Sequence, residues 1–365
     1  MLHPNNKIVN IQALRGIAVL LVVLFHLTKI EGKYGHGNTV LPGLLAIGMS
    51  GVDLFFVISG FVMVTITRGW FQKTGAVRSF LYHRATRIYP AYWFYSLLVL
   101  VVFLIKPEMV NSSSGGQVNI PESFLLLPQE RLPLLAVGWT LIHEIYFYLI
   151  FALLMVFPEK RLSPLIVIWG VGAVGIGLLP LSEIPFIQLA TNPLTLEFVA
   201  GCLIARLYFL KKNSSSWPCL VLALVWWLVG YGVHIELGYG LEPSNWWRVL
   251  LFGVPATLSV YALVNMEREA GRTLPGWIIL IGDAAFSIYL SHVLVISALG
   301  RIWGGLVIVD SGVNFIALLI MLLFAIIIGI ASYRFLERPL LRFTRHFEKV
   351  VIGTRFDRSS AALQL

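Results

Sequence analysis

Charge is what this sequence has least of. Only 12% of its 365 residues are Asp, Glu, Lys or Arg, and 58% are hydrophobic. With a mean hydropathy of +0.83, a water-soluble domain of this size is excluded, because such domains carry about 25% charged residues. Cysteine is almost missing. Cys202 and Cys219 are too few for a disulfide framework, offer no metal spacing, and read as packing residues. Strands of alternating polarity are also missing, which excludes a membrane barrel. Matched broken helices do not recur in two halves, as they do in many transporters. The first apolar stretch has no small-residue cleavage site; it contains Arg15 and runs on into Glu31-Gly32-Lys33-Tyr34. It therefore reads as an uncleaved first helix and not as a secretory signal.

What is present is a series of long apolar runs. A spanning helix takes about 20 mostly apolar residues, and ten such segments are expected at 11–28, 44–66, 88–105, 138–157, 164–180, 191–210, 217–235, 246–264, 276–299 and 313–334. The expected fold is all-α and polytopic. With the N-terminus inside, the inner segments hold 20 of the 27 Lys and Arg residues, the outer ones only Lys29, Lys33, Lys106, Arg131, Arg248 and Arg301, and Arg15 lies within the first span. This bias predicts cytoplasmic termini. The net charge of +9 is then a topology signal plus attraction to anionic lipid headgroups, and no argument for nucleic acid. Arg338, Arg342, Arg345 and Lys349 predict an amphipathic segment on the inner leaflet, followed by a disordered end at 359–365. The longest outer loop, Lys106 to Val137, carries the flexible polar stretch Asn111 to Gly116.

Polar groups inside hydrocarbon are costly, so each is a functional candidate. Arg15 and His26 are 11 residues apart on the first helix, on one stripe and about 16 Å apart along the axis. Asp53 lies in the second span within Gly51-Val52-Asp53-Leu54-Phe55-Phe56, either hydrogen-bonded to a neighbouring helix or part of a polar cavity. Arg84 and Arg87 share a helical face before the third span. The positive-inside rule alone would put arginines there, but two planar forks of donors also suit phosphates. In the fourth span Trp139 precedes Glu144, which needs a partner or a wet cavity about 9 Å below the outer surface, and His143 reads as interfacial. Glu197, Asp283 and His292 are further candidates, each equally readable as a structural hydrogen-bond partner.

These residues resemble acyltransferase family 3, most nearly its exopolysaccharide and O-antigen O-acetyltransferases. The resemblance rests on Arg15 with His26, the Gly51 to Gly60 string, Arg84 with Arg87, Trp139-Thr140 with Glu144, Ser291-His292 and the Glu337-Arg338-Pro339 exit. One departure is His143 before Glu144, a position that bears on acceptor choice. Each motif alone is weak, whereas their order and spacing together are specific.

The resemblance implies a bacterial inner-membrane enzyme with a membrane-embedded acyltransferase domain at 1–345 and a cytoplasmic tail at 346–365. Such an enzyme moves an acetyl group from acetyl-CoA, a co-substrate and not a resident cofactor, to a hydroxyl of an extracytoplasmic glycan or lipid-linked precursor. No metal is expected. Arg84, Arg87 and Arg15 are then the donor clamp, and His26 the general base, with Glu144 or Asp53 holding its tautomer. Trp139 and His292 are the substrate-binding candidates. An acyl-histidine route and a succinyl donor stay open, as does a peptidoglycan or small-molecule acceptor. The rival from another class is a transporter or flippase of a lipid-linked sugar.

Overall fold

The computed structural model describes residues 8–37, 39–111, 117–179, 184–210, 216–238, 242, 244–306 and 310–352, with side chains as far as 347. The loop expectation at 112–116, the expected disordered end, the Lys349 side chain, and Lys7, Lys211, Lys212, Arg355 and Arg358 of the orientation count lie outside the described residues.

Among the described residues every element is helical, as hydrocarbon demands of a segment that must satisfy its own backbone. In chain order they are α1 (Val9–Tyr34), a 3-10 helix (Gly43–Ser50), α2 (Gly51–Thr67), α3 (Ala76–Ile105), α4 (Ile120–Leu125), α5 (Gly138–Leu154), α6 (Leu162–Gly177), α7 (Pro185–Ala190) and α8 (Thr195–Phe209). There follow α9 (Ser216–Leu237), the single turn α10 (Trp246–Arg248), α11 (Val254–Ala270), α12 (Gly276–Asp283), α13 (Ala285–Gly305), α14 (Ser311–Ser332) and α15 (Arg338–Ile352). Among the described residues nine helical stretches are long and apolar enough to cross a membrane, and α5 is a shorter apolar helix. The protein is a multi-pass membrane protein. Outward-facing side chains such as Val221, Leu224 and Leu228 on α9, and Phe315 and Ile327 on α14, are exposed where lipid would cover them.

The chain forms two compact units and passes from one to the other within α2. In the unit of Ile8–Ile58 and Asn213–Leu336, α1 is the hub, packed on the 3-10 helix, α11, α12, α13 and α14. Small residues let backbones touch: a methyl group on Gly16 would meet the backbone of Ile278 and Gly282, and one on Gly282 the backbone of Gln12. The start of α1 has no cap of its own. Glu267 of α11 accepts from the Val9 and Asn10 N–H groups at 2.8 and 2.7 Å, satisfying donors that a helix leaves open.

Two expected spans differ in detail here. The segment 276–299 is broken at Ala284, whose φ of −93° and ψ of 3° separate α12 from α13. The bend keeps both pieces against α1, with Gly282 at Gly16 and Gly300 at Tyr34. The second span begins as a 3-10 helix because Gly48 and Gly51 press onto the Leu21 and Ala18 carbonyls of α1.

The other unit holds the described residues of Ser59–Lys212 and Glu337–Leu365. Its core is aromatic: Phe147 stacks on Phe198 at 4.4 Å, with Trp169 edge-on to both. The Cys202 thiol donates to the Gly60 carbonyl at 3.3 Å. The third span is longer than expected. Gly75, at φ 78°, turns the chain into α3 at Ala76, so Arg84 and Arg87 stand inside the helix, not ahead of it. Tyr89, Tyr92 and Trp93 donate to the carbonyls of Leu125, Ser123 and Phe124, which ties α4 to the middle of α3. Helix α15 begins before residue 345 and packs on α3, where Tyr82 donates to the Thr344 carbonyl at 2.6 Å.

Candidate active site

His26 and His292 meet, a pairing that their positions in sequence do not suggest. The His26 Nδ1 lies 2.9 Å from the Val22 carbonyl oxygen and 3.4 Å from the His292 Nε2, with the rings edge-on at 4.9 Å. His292 is fully buried, its Nδ1 2.7 Å from the Tyr289 carbonyl oxygen and 3.1 Å from that of Ile288. Carbonyls only accept, so both Nδ1 atoms carry the proton of the neutral ring and both Nε2 atoms keep a lone pair. His292 spends its lone pair on the His26 Nδ1–H. His26 is partly exposed like Arg15 on the same stripe, and among the described residues nothing takes its Nε2 lone pair, which is left for a reacting group.

The tautomer of His26 is therefore set by a backbone carbonyl and a second imidazole. Asp53 is engaged elsewhere: Arg248 donates from Nε to both carboxylate oxygens at 3.1 and 3.3 Å and from Nη2 at 2.8 Å. The two side chains are 0% and 1% exposed. Among the described residues Asp53 makes no hydrogen bond to His26. Arg248, counted as an outer-loop cation by the sequence, is instead in the core. It ends α10 and leads into a π-helical turn at Val249–Gly253, a form that occurs mostly as single turns within helices and is frequent at functional sites.

In the other unit Glu144 sits six residues into α5, about 9 Å from its start. It accepts from the Tyr148 hydroxyl one turn on and from Ser59 Oγ at 3.3 Å. The Arg84 guanidinium carbon lies 5.7 Å from the Tyr148 ring centroid, and Arg84 Nε is buried with no hydrogen-bond partner among the described residues. A polar column thus runs from Ser59 through Glu144 and Tyr148 to Arg84. Arg87 is separated from it in function, because it donates to Glu337, which is 1% exposed. Of the two guanidiniums on this face of α3, Arg84 has the open donor.

Trp139, partly exposed, packs its ring edge-on to His143 at 5.6 Å. His143 is buried: the Trp139 side chain packs against it, and its Nδ1–H donates to the Trp139 carbonyl at 3.0 Å. Glu197 is buried in the first turn of α8, and Asp283 closes α12. Sequence reading missed the roles of Arg248, Tyr148 and Glu337. Tyr148 had a usable signal, its spacing of one helical turn from Glu144.

A helical membrane protein with a partly exposed histidine of fixed tautomer, and a carboxylate and arginine column within its helices, has the makings of a membrane-embedded transferase. The Acyltransferase domain family, acyltransferase family 3, has a family model that matches residues 8–334, and the chain belongs to that family. It is 31% identical over 337 residues to the exopolysaccharide production protein ExoZ of Rhizobium meliloti (strain 1021), covering 88% of this chain and 95% of that protein. It is 24% identical to a putative O-acetyltransferase of Staphylococcus aureus (strain COL) and 23% identical to the O-acetyltransferase OatA of strain NCTC 8325. In each case the match covers 90% of this chain and 56% of the relative, so the chain spans about half the length of these staphylococcal proteins. No solved structure matches.

Proposed function

We propose that this protein is an O-acetyltransferase that moves an acetyl group from cytoplasmic acetyl-CoA to a hydroxyl of an extracytoplasmic polysaccharide or lipid-linked glycan, in a bacterial inner membrane with both termini cytoplasmic. The family membership supports acyl transfer, and the names of the relatives support a surface glycan as acceptor. The observation that carries the reading is the open Nε2 of His26, with its Nδ1–H held by the Val22 carbonyl and His292.

The chemistry follows from that tautomer. The acceptor oxygen attacks the thioester carbonyl carbon while its proton passes to His26 Nε2, giving a tetrahedral intermediate. The C–S bond then breaks, the ester remains on the acceptor, and the leaving thiolate takes the proton from the imidazolium. The cation is stabilised while it lasts by the acceptors around Nδ1. General base action of this kind contributes roughly 10²–10⁴-fold. Arg84, with its unpartnered Nε, is the first candidate to hold donor phosphates; Arg15 is a further candidate within its own unit, and Arg87 serves instead to hold the Glu337 carboxylate. Glu144 holds its place in the column beside Tyr148, Trp139 binds acceptor, and His292 positions His26.

The same Nε2 would serve as a nucleophile if an acyl-histidine forms first, and the kinetics separate the routes. The test uses purified protein with acetyl-CoA and polysaccharide stripped of its acetyl groups. Thiol release matched one for one by new O-acetyl ester supports the reading, whereas sugar movement across vesicles without thiol release would establish the transporter instead. Exchange of label between acetyl-CoA and free coenzyme A without acceptor would assign the covalent route.

A further inference from the structure

The unit that holds Glu144 also has a wide-mouthed cleft of about 590 Å³ between the start of α4, the chain that follows α4, and Pro185 at the start of α7. Asn119, Glu122, Gln129, Glu130 and Arg131 line it, together with Val118, Ile120 and three prolines. Its volume falls within the roughly 300–1,000 Å³ of small-molecule sites, but its chemistry is unusual for one. Half of the lining residues carry an amide, carboxylate or guanidinium, and none is aromatic.

The polar groups are under-used by the protein. The Asn119 Oδ1 caps α4 by accepting from the Glu122 N–H at 3.3 Å, and Gln129 reaches the Leu127 carbonyl only at 3.5 Å. Glu130 and Arg131 are adjacent and of opposite sign, yet neither forms an ion pair among the described residues. Two carboxylates against one guanidinium would repel a phosphate-bearing donor such as coenzyme A. Sugar hydroxyls both donate and accept, and suit a wall that mixes carboxylate and amide acceptors with amide and guanidinium donors.

The wall is also held firmly. The carbonyls of α4 are occupied by Tyr89, Tyr92 and Trp93, and Ser123 Oγ accepts from the Leu134 N–H at 2.9 Å. Gly138, the first residue of α5, packs on the Tyr92 hydroxyl. Through Tyr92 the α4 wall of the cleft is thus tied to the first residue of α5, the helix that carries Trp139 and Glu144.

We infer that this cleft is a docking subsite for the acceptor, taking a short run of hydroxyl-rich sugar units; the inference rests on the glycan-acceptor reading above. Two variants probe it without touching the buried core. Asn119→Ala with Arg131→Ala removes donors, and Val118→Trp fills the space. Each is assayed with acetyl-CoA and the surface polysaccharide of the cells that carry the protein, freed of acetyl groups by mild alkali. Both variants should raise the KM for polysaccharide about tenfold, the first by the equivalent of one or two lost hydrogen bonds and the second by occupying the sugar's place, and leave the KM for acetyl-CoA within about twofold, since only acceptor binding is lost. An unchanged polysaccharide KM in both variants, with wild-type transfer intact, overturns the subsite alone. A wild-type protein that consumes acetyl-CoA but never acetylates polysaccharide overturns the glycan reading and the subsite with it.

Discussion

Breaking the Asp53–Arg248 pair is the perturbation whose cost the structure defines best. Three charge-assisted hydrogen bonds at 2.8 to 3.3 Å join two side chains that are 0% and 1% exposed, so neither charge has water to fall back on. Arg248→Met strands the carboxylate, and Asp53→Leu takes all three of these bonds from the guanidinium. Removing one partner of such a pair costs about 3–5 kcal/mol, a shift of on the order of 10²–10⁴ in the folding equilibrium. Replacing both partners by apolar groups of similar volume is often neutral. The double variant should therefore regain most of what either single variant loses. The assay is a double-mutant cycle on reversible unfolding in detergent, with thermal midpoints as a cross-check. Single variants within about 1 kcal/mol of wild type, or a double variant as unstable as the worse single one, would refute the claim that this pair is dry and mutually compensating.

Other outcomes follow from neighbouring contacts. Gly282→Val should lower yield and thermal midpoint, because its side chain meets the Gln12 backbone, which cannot move aside; overpacking of this kind costs about 1–3 kcal/mol. Gly232→Ala, with nothing within 4 Å of the added carbon, should leave both unchanged, and equal effects at the two glycines would contradict the packing argument. Tyr148→Phe deprives Glu144 of one of its two hydroxyl donors and should lower kcat/KM roughly 5- to 150-fold, the equivalent of about 1–3 kcal/mol, at normal protein levels. His292→Leu removes the acceptor facing His26 Nδ1–H and should cut kcat about threefold to tenfold, well short of the loss on removing His26 itself; an equal loss would make His292 a chemical participant.

Helix type and number could be read from the sequence because hydrocarbon leaves an apolar run of some 20 residues little choice but to be helical. What escaped was set by tertiary contact. The break at Ala284 and the 3-10 start of the second span arise from close backbone approach to α1, which hydropathy does not record. Arg248 sits at a span edge, where a buried arginine and a loop arginine look alike until Asp53 is placed opposite. The stripe shared by Arg15 and His26 was legible because it lies within one helix. The His26–His292 contact was not, since it joins residues 266 positions apart. For the same reason Arg84 and Arg87 looked equivalent in sequence. The return of the chain at Glu337 beside Arg87, and the Tyr148 ring beside Arg84, distinguish them.

The central claim is that the protein moves an acyl group from a thioester to a glycan hydroxyl with His26 as the base that takes the hydroxyl proton. The most direct measurement supplies acetyl-CoA labelled with carbon-13 at the carbonyl to purified wild-type protein and to His26→Ala at equal amounts. The de-O-acetylated polysaccharide is then examined by NMR for labelled O-acetyl ester. Label on the polysaccharide with wild type, and none above the protein-free background with His26→Ala, is the predicted result. Label at the wild-type rate from His26→Ala would contradict the account.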